Sequence, residues 1–206
     1  MHSPRQRTLR HAPVIAALIA GALAGASHAE PVAYALDPTH SFVTFELLHF
    51  GTSTIRGRFG PLAGEVTLDR AARRGRVQVV VATAAVATGV PLLDALVRGP
   101  EMLAVEAFPQ AYFVAEKFEF DAPDASGGAG AVRSVRGEFT LRGQSQPLTL
   151  TAERFRCYTS PLLRREVCGG DFTGEFNRSA FGITHSLPFV ADTVRLKVQV
   201  EAIRQP

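Results

Sequence analysis

The sequence of 206 residues has no tryptophan, only two cysteines, and no excess of charge outside its first residues. Each shortage excludes something. Residues 1 to 29 hold Arg5, Arg7 and Arg10, an apolar run from Ala12 to Ala24, and a small-residue ending, Ser27-His28-Ala29. That is the pattern of a cleaved secretory signal peptide, with an apolar part too short to span a bilayer comfortably. Without those three arginines, the 22 Lys+Arg fall to the same number as the 19 Asp+Glu. The formal charge of +3 therefore belongs to the leader, and residues 30–206 carry no basic surplus that would call for nucleic acid as a partner. No later window is long or apolar enough for a membrane-spanning helix.

Catalytic signatures are missing too. The chain has no Gly-x-Ser-x-Gly elbow, and Gly127-Gly128-Ala129-Gly130 lacks the Lys-Ser/Thr that completes a phosphate-binding loop. In an exported chain the two cysteines, Cys157 and Cys168, read as a disulfide. Closing that loop is worth about 3 kcal/mol in the chain-entropy account. Zinc is the competing reading, and a Cys-x10-Cys spacing with no nearby histidine lacks its usual ligand pattern.

What is abundant is phenylalanine, 14 residues all after the leader, arranged among alternating strands. In His40 to Gly51, Val43, Phe45, Leu47 and His49 share one side of an extended chain, while Phe42, Thr44, Glu46 and Leu48 share the other. Further extended segments are predicted at Thr54–Phe59, Glu65–Asp69, Val77–Val81, Ala111–Phe120, Val132–Leu141, Leu148–Phe155, Phe172–Asn177 and Val194–Glu201. The turns between them fall at Ala71–Gly75, at the loop Asp121–Ala131 and at Arg142–Pro147. Helical spacing is confined to Leu92, Leu93, Leu96 and Val97, with a second short piece through Met102, Leu103 and Val105.

Eight to nine strands with no helix between successive ones imply an antiparallel sheet. The predicted fold is all-β: a single antiparallel eight-stranded barrel with one or two short helices, formed by residues 30–206 as one domain, with a two-sheet sandwich as the structural alternative. A barrel of about eight strands is either filled by side chains, which would leave an interaction module, or holds one ligand.

Three histidines remain after the leader: His40, His49 and His185. His40 and His49 have opposite parity and lie roughly 30 Å apart along a straight strand, so they cannot share a metal there. His40 reads as a structural residue near the barrel rim, and His49 as the polar group facing a ligand. An enzyme reading, metal- or histidine-dependent and either redox or hydrolytic, would draw on His49, His185 and Asp94, with Asp192 as another carboxylate. No convergent ligand pattern supports it, so the expectation is no catalytic residues, no metal and no cofactor. Arg56, Arg58, Arg98 and Arg178 are candidates for an anionic head group at the mouth, with a solvated surface role favoured for each.

The order and spacing of Tyr34-Ala-Leu-Asp37, His40-Ser-Phe-Val-Thr-Phe45, His49-Phe-Gly51, Gly57-Arg-Phe59, Thr88-Gly89, Phe108-Pro109, Gly137-Glu-Phe-Thr-Leu-Arg-Gly143 and Arg178 to Gly182 resemble the YceI-like family of exported polyisoprenoid-binding proteins. The similarity runs from Tyr34 to Ile203. It implies a lipocalin-like barrel in the bacterial periplasm that holds an isoprenoid lipid, such as a ubiquinone or polyprenyl chain, for transport or storage. The expected cavity lining is Val43, Phe45, Leu47, His49, Phe59, Phe113, Phe139 and Phe176. An inner-membrane redox protein is the receiving partner such cargo would call for, and a homodimer stays open. Where the family commonly has Asp-x-His-Leu, this chain has Asp94-Ala95-Leu96-Val97, so any role of that histidine is lost here. The Cys157–Cys168 segment is absent from many members and is expected to staple a longer loop at one barrel end.

Overall fold

The computed structural model describes residues 30–122 and 130–206; the leader and residues 123–129 of the glycine-rich loop lie outside it. Ten strands form one antiparallel sheet: β1 (Val32–Leu36), β2 (Phe42–His49), β3 (Ser53–Phe59), β4 (Ala63–Asp69), β5 (Arg74–Ala82), β6 (Gln110–Phe120), β7 (Val132–Leu141), β8 (Gln144–Thr159), β9 (Glu166–Asn177) and β10 (Thr193–Arg204). One α-helix, α1 (Pro91–Arg98), and 3-10 turns at Thr83–Ala85 and Arg178–Phe181 complete the described elements. Strand order β1-β4-β5-β6-β7-β8-β9-β10, with β1 returning to β10, closes the predicted eight-stranded barrel. The hairpin β2–β3 is additional.

That hairpin shapes the upper half of the molecule. Residues 202 to 204 of β10 pair with β1, and residues 195 to 199 pair with β2, so the two strands lie end to end along the same edge. Beyond the break, β1 leads to β4 and β2 leads to β3. The sheet therefore splits at Asp37–Ser41. Fully buried Ser41 pins the split: its hydroxyl donates to the Glu201 carbonyl at 3.1 Å, and its own carbonyl accepts the Leu62 amide at 3.0 Å. His40 sits beside it, its Nδ1 2.8 Å from Asp37 Oδ2, hydrogen-bonded as its sequence context predicts but at the split in the wall beside the middle of β10 rather than at the rim. The hydrogen bond to Asp37 raises the His40 pKa.

Between β3 and the end of β5 no strand closes the upper wall, and residues 83–90 with α1 take its place. Arg58 and Ala87 exchange both backbone hydrogen bonds, at 2.8 and 2.9 Å. Proline at the first helical position starts α1, and Leu93, Leu96 and Val97, at i, i+3 and i+4, turn one face inward. Two side chains tie the helix down. Asp94 Oδ1 accepts both the amide and the hydroxyl of Thr88 at 2.6 Å, and Arg98 donates to the carbonyls of Ala84 and Val86 at 2.9 and 2.7 Å.

Three sequence expectations are corrected. Met102 to Val105 forms turns rather than a second helix. The turn expected at Arg142–Pro147 contracts to Arg142 and Gly143, both at positive φ (50° and 71°), as a two-residue hairpin of the primed type requires. Pro147 lies inside β8 opposite Glu138, and β9 joins β8 only from Thr151 onward, so the missing amide costs no ladder bond. Finally, Cys157 and Cys168 form the expected disulfide at one barrel end, but what it staples is the end of the β8–β9 hairpin rather than a long free loop. They are bonded directly opposite each other across β8 and β9, with Cα atoms 4.0 Å apart.

Candidate functional site

Period-two alternation has a direct consequence inside a barrel: one face of each strand lines the interior. On β10 that face is Val194, Leu196, Val198, Val200 and Ala202, with Arg195, Lys197, Gln199 and Glu201 between them. The apolar row runs the length of two adjacent chambers. The upper one, of about 210 Å³, is bounded by β2, β3, α1 and the residues following Arg178. The lower one, of about 90 Å³, lies between β1, β4 and the disulfide-bearing ends of β8 and β9. Val79, Phe113, Leu150, Val198 and Val200 line both and form the waist. Along β10 the row from Val194 to Ala202 spans roughly 27 Å at strand rise. A barrel filled to ordinary density is thereby excluded.

Seven of the eight lining residues read from the sequence stand in the upper wall: Val43, Phe45, Leu47, Phe59, Phe113, Phe139 and Phe176. The phenylalanines meet in two groups. Phe45 and Phe59 have ring centroids 5.4 Å apart, and Phe139, Phe176 and Phe181 form a triangle with sides of 5.2 to 5.3 Å. Tilted and edge-on contacts of this kind fix aromatic walls without polar groups. Gly57 makes the first pair fit. It faces Phe45 across β2–β3, and a Cβ there would collide with the ring.

His49 is not in the wall. It has the parity of Leu47 but lies past the cavity, at the last position of β2, where its ring packs edge-on against Phe50 at 4.8 Å. The histidine that lines the upper chamber is His185, together with Ser186. His185 Nδ1 lies 2.7 Å from Glu101 Oε2. The enzyme reading needs His49, His185 and Asp94 together, and the structure gives them separate partners: Phe50, Glu101 and Thr88. The hydrogen bonds from Thr88 hold the Asp94 carboxyl below its ordinary pKa. Among the described residues the one group with metal-ligand spacing is Cys157, Glu166 and Cys168, and its two sulfurs are spent in the disulfide.

The arginines divide in a way that sequence did not reveal. Arg56 is the exposed surface cation expected, paired with Glu46 at 2.8 Å, and Arg58 lies over the Phe42 ring, 3.5 Å from its centroid. Arg178 departs from the surface role: it is 2% exposed and donates four hydrogen bonds, to the carbonyls of Ala191, Ile183, His185 and Val190 at 2.8 to 3.1 Å. Burial lowers its pKa, against the pull of nearby Asp192. Arg142 adds a second clamp from the barrel wall, reaching the Met102 carbonyl at 2.8 Å and the Gly182 carbonyl at 3.2 Å. Both cations are consumed in shaping the mouth. The polar lining residues are Thr83, Arg178, His185 and Ser186. Thr83 is spent on the Phe108 carbonyl at 2.8 Å. Along its length the cavity offers only dispersion and desolvation, and its polar contacts cluster at one end.

Ser41, Arg142 and Ser186 are not marked as site-forming by the sequence, because each depends on a contact across the fold, and His185 stands out there only as a candidate of the enzyme reading.

The sequence pattern of the YceI-like domain matches residues 34–202. The chain is 29% identical over 167 residues to a UPF0312 protein of Enterobacter sp., covering 81% of this chain and 82% of that one. To the protein YceI of Salmonella arizonae it is also 29% identical over 167 residues, covering 81% and 83%. In structure it is similar to BcnA of Burkholderia cenocepacia, with TM-score 0.63, 21% identity, and 81% of this chain and 98% of that one covered. A polyisoprenoid-binding domain of Saccharophagus degradans superposes with TM-score 0.59 at 19% identity, over 85% and 99% of the two chains. With the matched pattern spanning nearly the whole described barrel, this chain belongs to the YceI-like domain family.

Proposed function

We propose that this protein is a carrier or store for an isoprenoid lipid of the quinone or polyprenyl type, working in the periplasm after removal of residues 1–29. The observation that carries the reading is the unbroken apolar row from Val194 to Ala202 along both chambers, with His185 and Ser186 at the mouth and, in the lower chamber, Tyr34 with its hydroxyl spent on Glu166. Such a container suits a long chain with at most one polar end. The head would sit beside His185 and Ser186, and the tail would pass the waist toward Ala202. The polyisoprenoid-binding relative of the same fold is consistent with that cargo. Binding rather than catalysis is the role proposed, because Thr83, Arg178 and His185 of the lining already have partners in the protein.

Mass spectrometry of organic extracts from the purified protein tests the reading, together with titration by ubiquinone and polyprenol. An isoprenoid that co-purifies, or a melting temperature that rises with added ligand as mass action requires, is the expected result. A protein that carries no lipid and is not stabilised by either compound would refute it.

A further inference from the structure

The mouth of the cavity is bordered by two segments that lack every formally charged side chain. Residues 49–55 and residues 182–191 contain no Asp, Glu, Lys or Arg. Each carries one prominent aromatic: Phe50 is 60% exposed and Phe189 is 58% exposed, with stacked rings at a centroid distance of 5.1 Å. The Phe50 amide donates to the Phe189 carbonyl at 2.7 Å, so the two tips are clasped together. Beside the same cavity α1 turns Leu92 outward, 86% exposed, while its neighbour Leu96 is both exposed and part of the cavity lining. Apolar surface therefore continues from the outside of the molecule into the upper chamber.

We infer that this rim docks on a lipid bilayer, with Phe50, Phe189 and Leu92 entering the headgroup boundary and the mouth facing the membrane. Exposed aromatic and leucine side chains gain by leaving water there, and segments without formal charge pay no desolvation of ions when they do so. The transfer of cargo rests on the function proposed above; the docking surface stands on its own geometry. The opposite end of the barrel has a different chemistry: Leu162 and Leu163 are exposed there but are followed by Arg164 and Arg165, which would bind by attraction to anionic headgroups. Docking through the mouth rests instead on apolar side chains, with Glu101 beside His185 an exposed charge at that rim, so it needs neither anionic lipid nor low salt.

The test is flotation of the full mature protein with vesicles of phosphatidylcholine and, separately, of phosphatidylethanolamine with phosphatidylglycerol. The variant combines Phe50→Asn, which suits the positive φ of 48° at that position, with Phe189→Ser. Neither residue lines the cavity, so affinity for polyprenol delivered from ethanol should be unchanged. Wild type is expected to float with both vesicle types at low and high salt, and the variant to bind vesicles at least about tenfold more weakly and to extract polyprenol from them more slowly. The inference is overturned if wild type stays off both vesicle types, or if the variant floats as wild type does. It is equally overturned if binding needs the anionic lipid and is lost in Leu162→Ser, or if the rim proves to bury a second copy in a dimer that the same variant dissociates. A protein that floats through the phenylalanine pair yet holds no isoprenoid would support the docking surface and refute the cargo.

Discussion

At Gly57 a single missing Cβ decides the shape of the cavity wall. The Phe45 ring occupies the space above it, and a side chain there would push the ring into the upper chamber. Gly57→Val is therefore expected to cost about 1–3 kcal/mol through overpacking and to lower ligand capacity, as read by urea unfolding and polyprenol titration. Tyr34 makes a different statement at the other end. Burial, then its 2.8 Å hydrogen bond to Glu166, pushes its pKa from 10.0 to about 12. The unfolded tyrosine ionises first as pH rises, so this group's contribution is complete below pH 10 and is lost as pH climbs toward about 12. Burial also raises the pKa of Tyr158, so ultraviolet titration should show late ionisation of which the Tyr34 part, reaching to about 12, is absent in Tyr34→Phe, whose stability should fall less steeply over the same interval. Both residues lay in motifs visible in the sequence, but only the contacts across the sheet reveal why a glycine and a tyrosine stand there.

Elements were legible to the degree that alternation governed them. Val194–Glu201 alternates without interruption and emerges as the central part of β10. β1 was not read as a strand, being five residues long, and β9 starts at Glu166, earlier than its alternation suggested, because Gly169 and Gly170 interrupt the pattern. Those glycines abut neighbouring backbone at Val200 and Arg154, where a side chain would not fit. The disulfide acts on this same hairpin. Joining directly opposed residues of β8 and β9, it limits the unfolded chain over a separation of 11 residues. Replacing both Cys157 and Cys168 by serine should cost at most about 3 kcal/mol in stability, measured by denaturant midpoint. Although Cys168 borders the lower chamber, neither cysteine lines the upper one, so ligand affinity should change less than stability does.

For the whole molecule, the waist is the feature that makes a prediction about cargo length. Val79 faces both chambers. Val79→Phe is expected to close the passage, leaving a short isoprenoid bound in the upper chamber while a long polyprenol loses at least about tenfold in affinity. Equal losses for both lengths would mean that the tail does not cross the waist. The sequence by itself determined the antiparallel class, most of the strands and the apolar face they share, because period-two patterning is local, whereas the closure it favoured is fixed by the pairing of β1 with β10. It also placed seven of the eight lining side chains on the correct face. Tertiary structure decided the rest. It put His185 rather than His49 at the cavity, turned Arg178 from surface to interior, and joined Phe50 to Phe189 on one rim. Parity tells which side of a strand a residue occupies; where the cavity ends along that strand depends on how distant segments fold over its mouth.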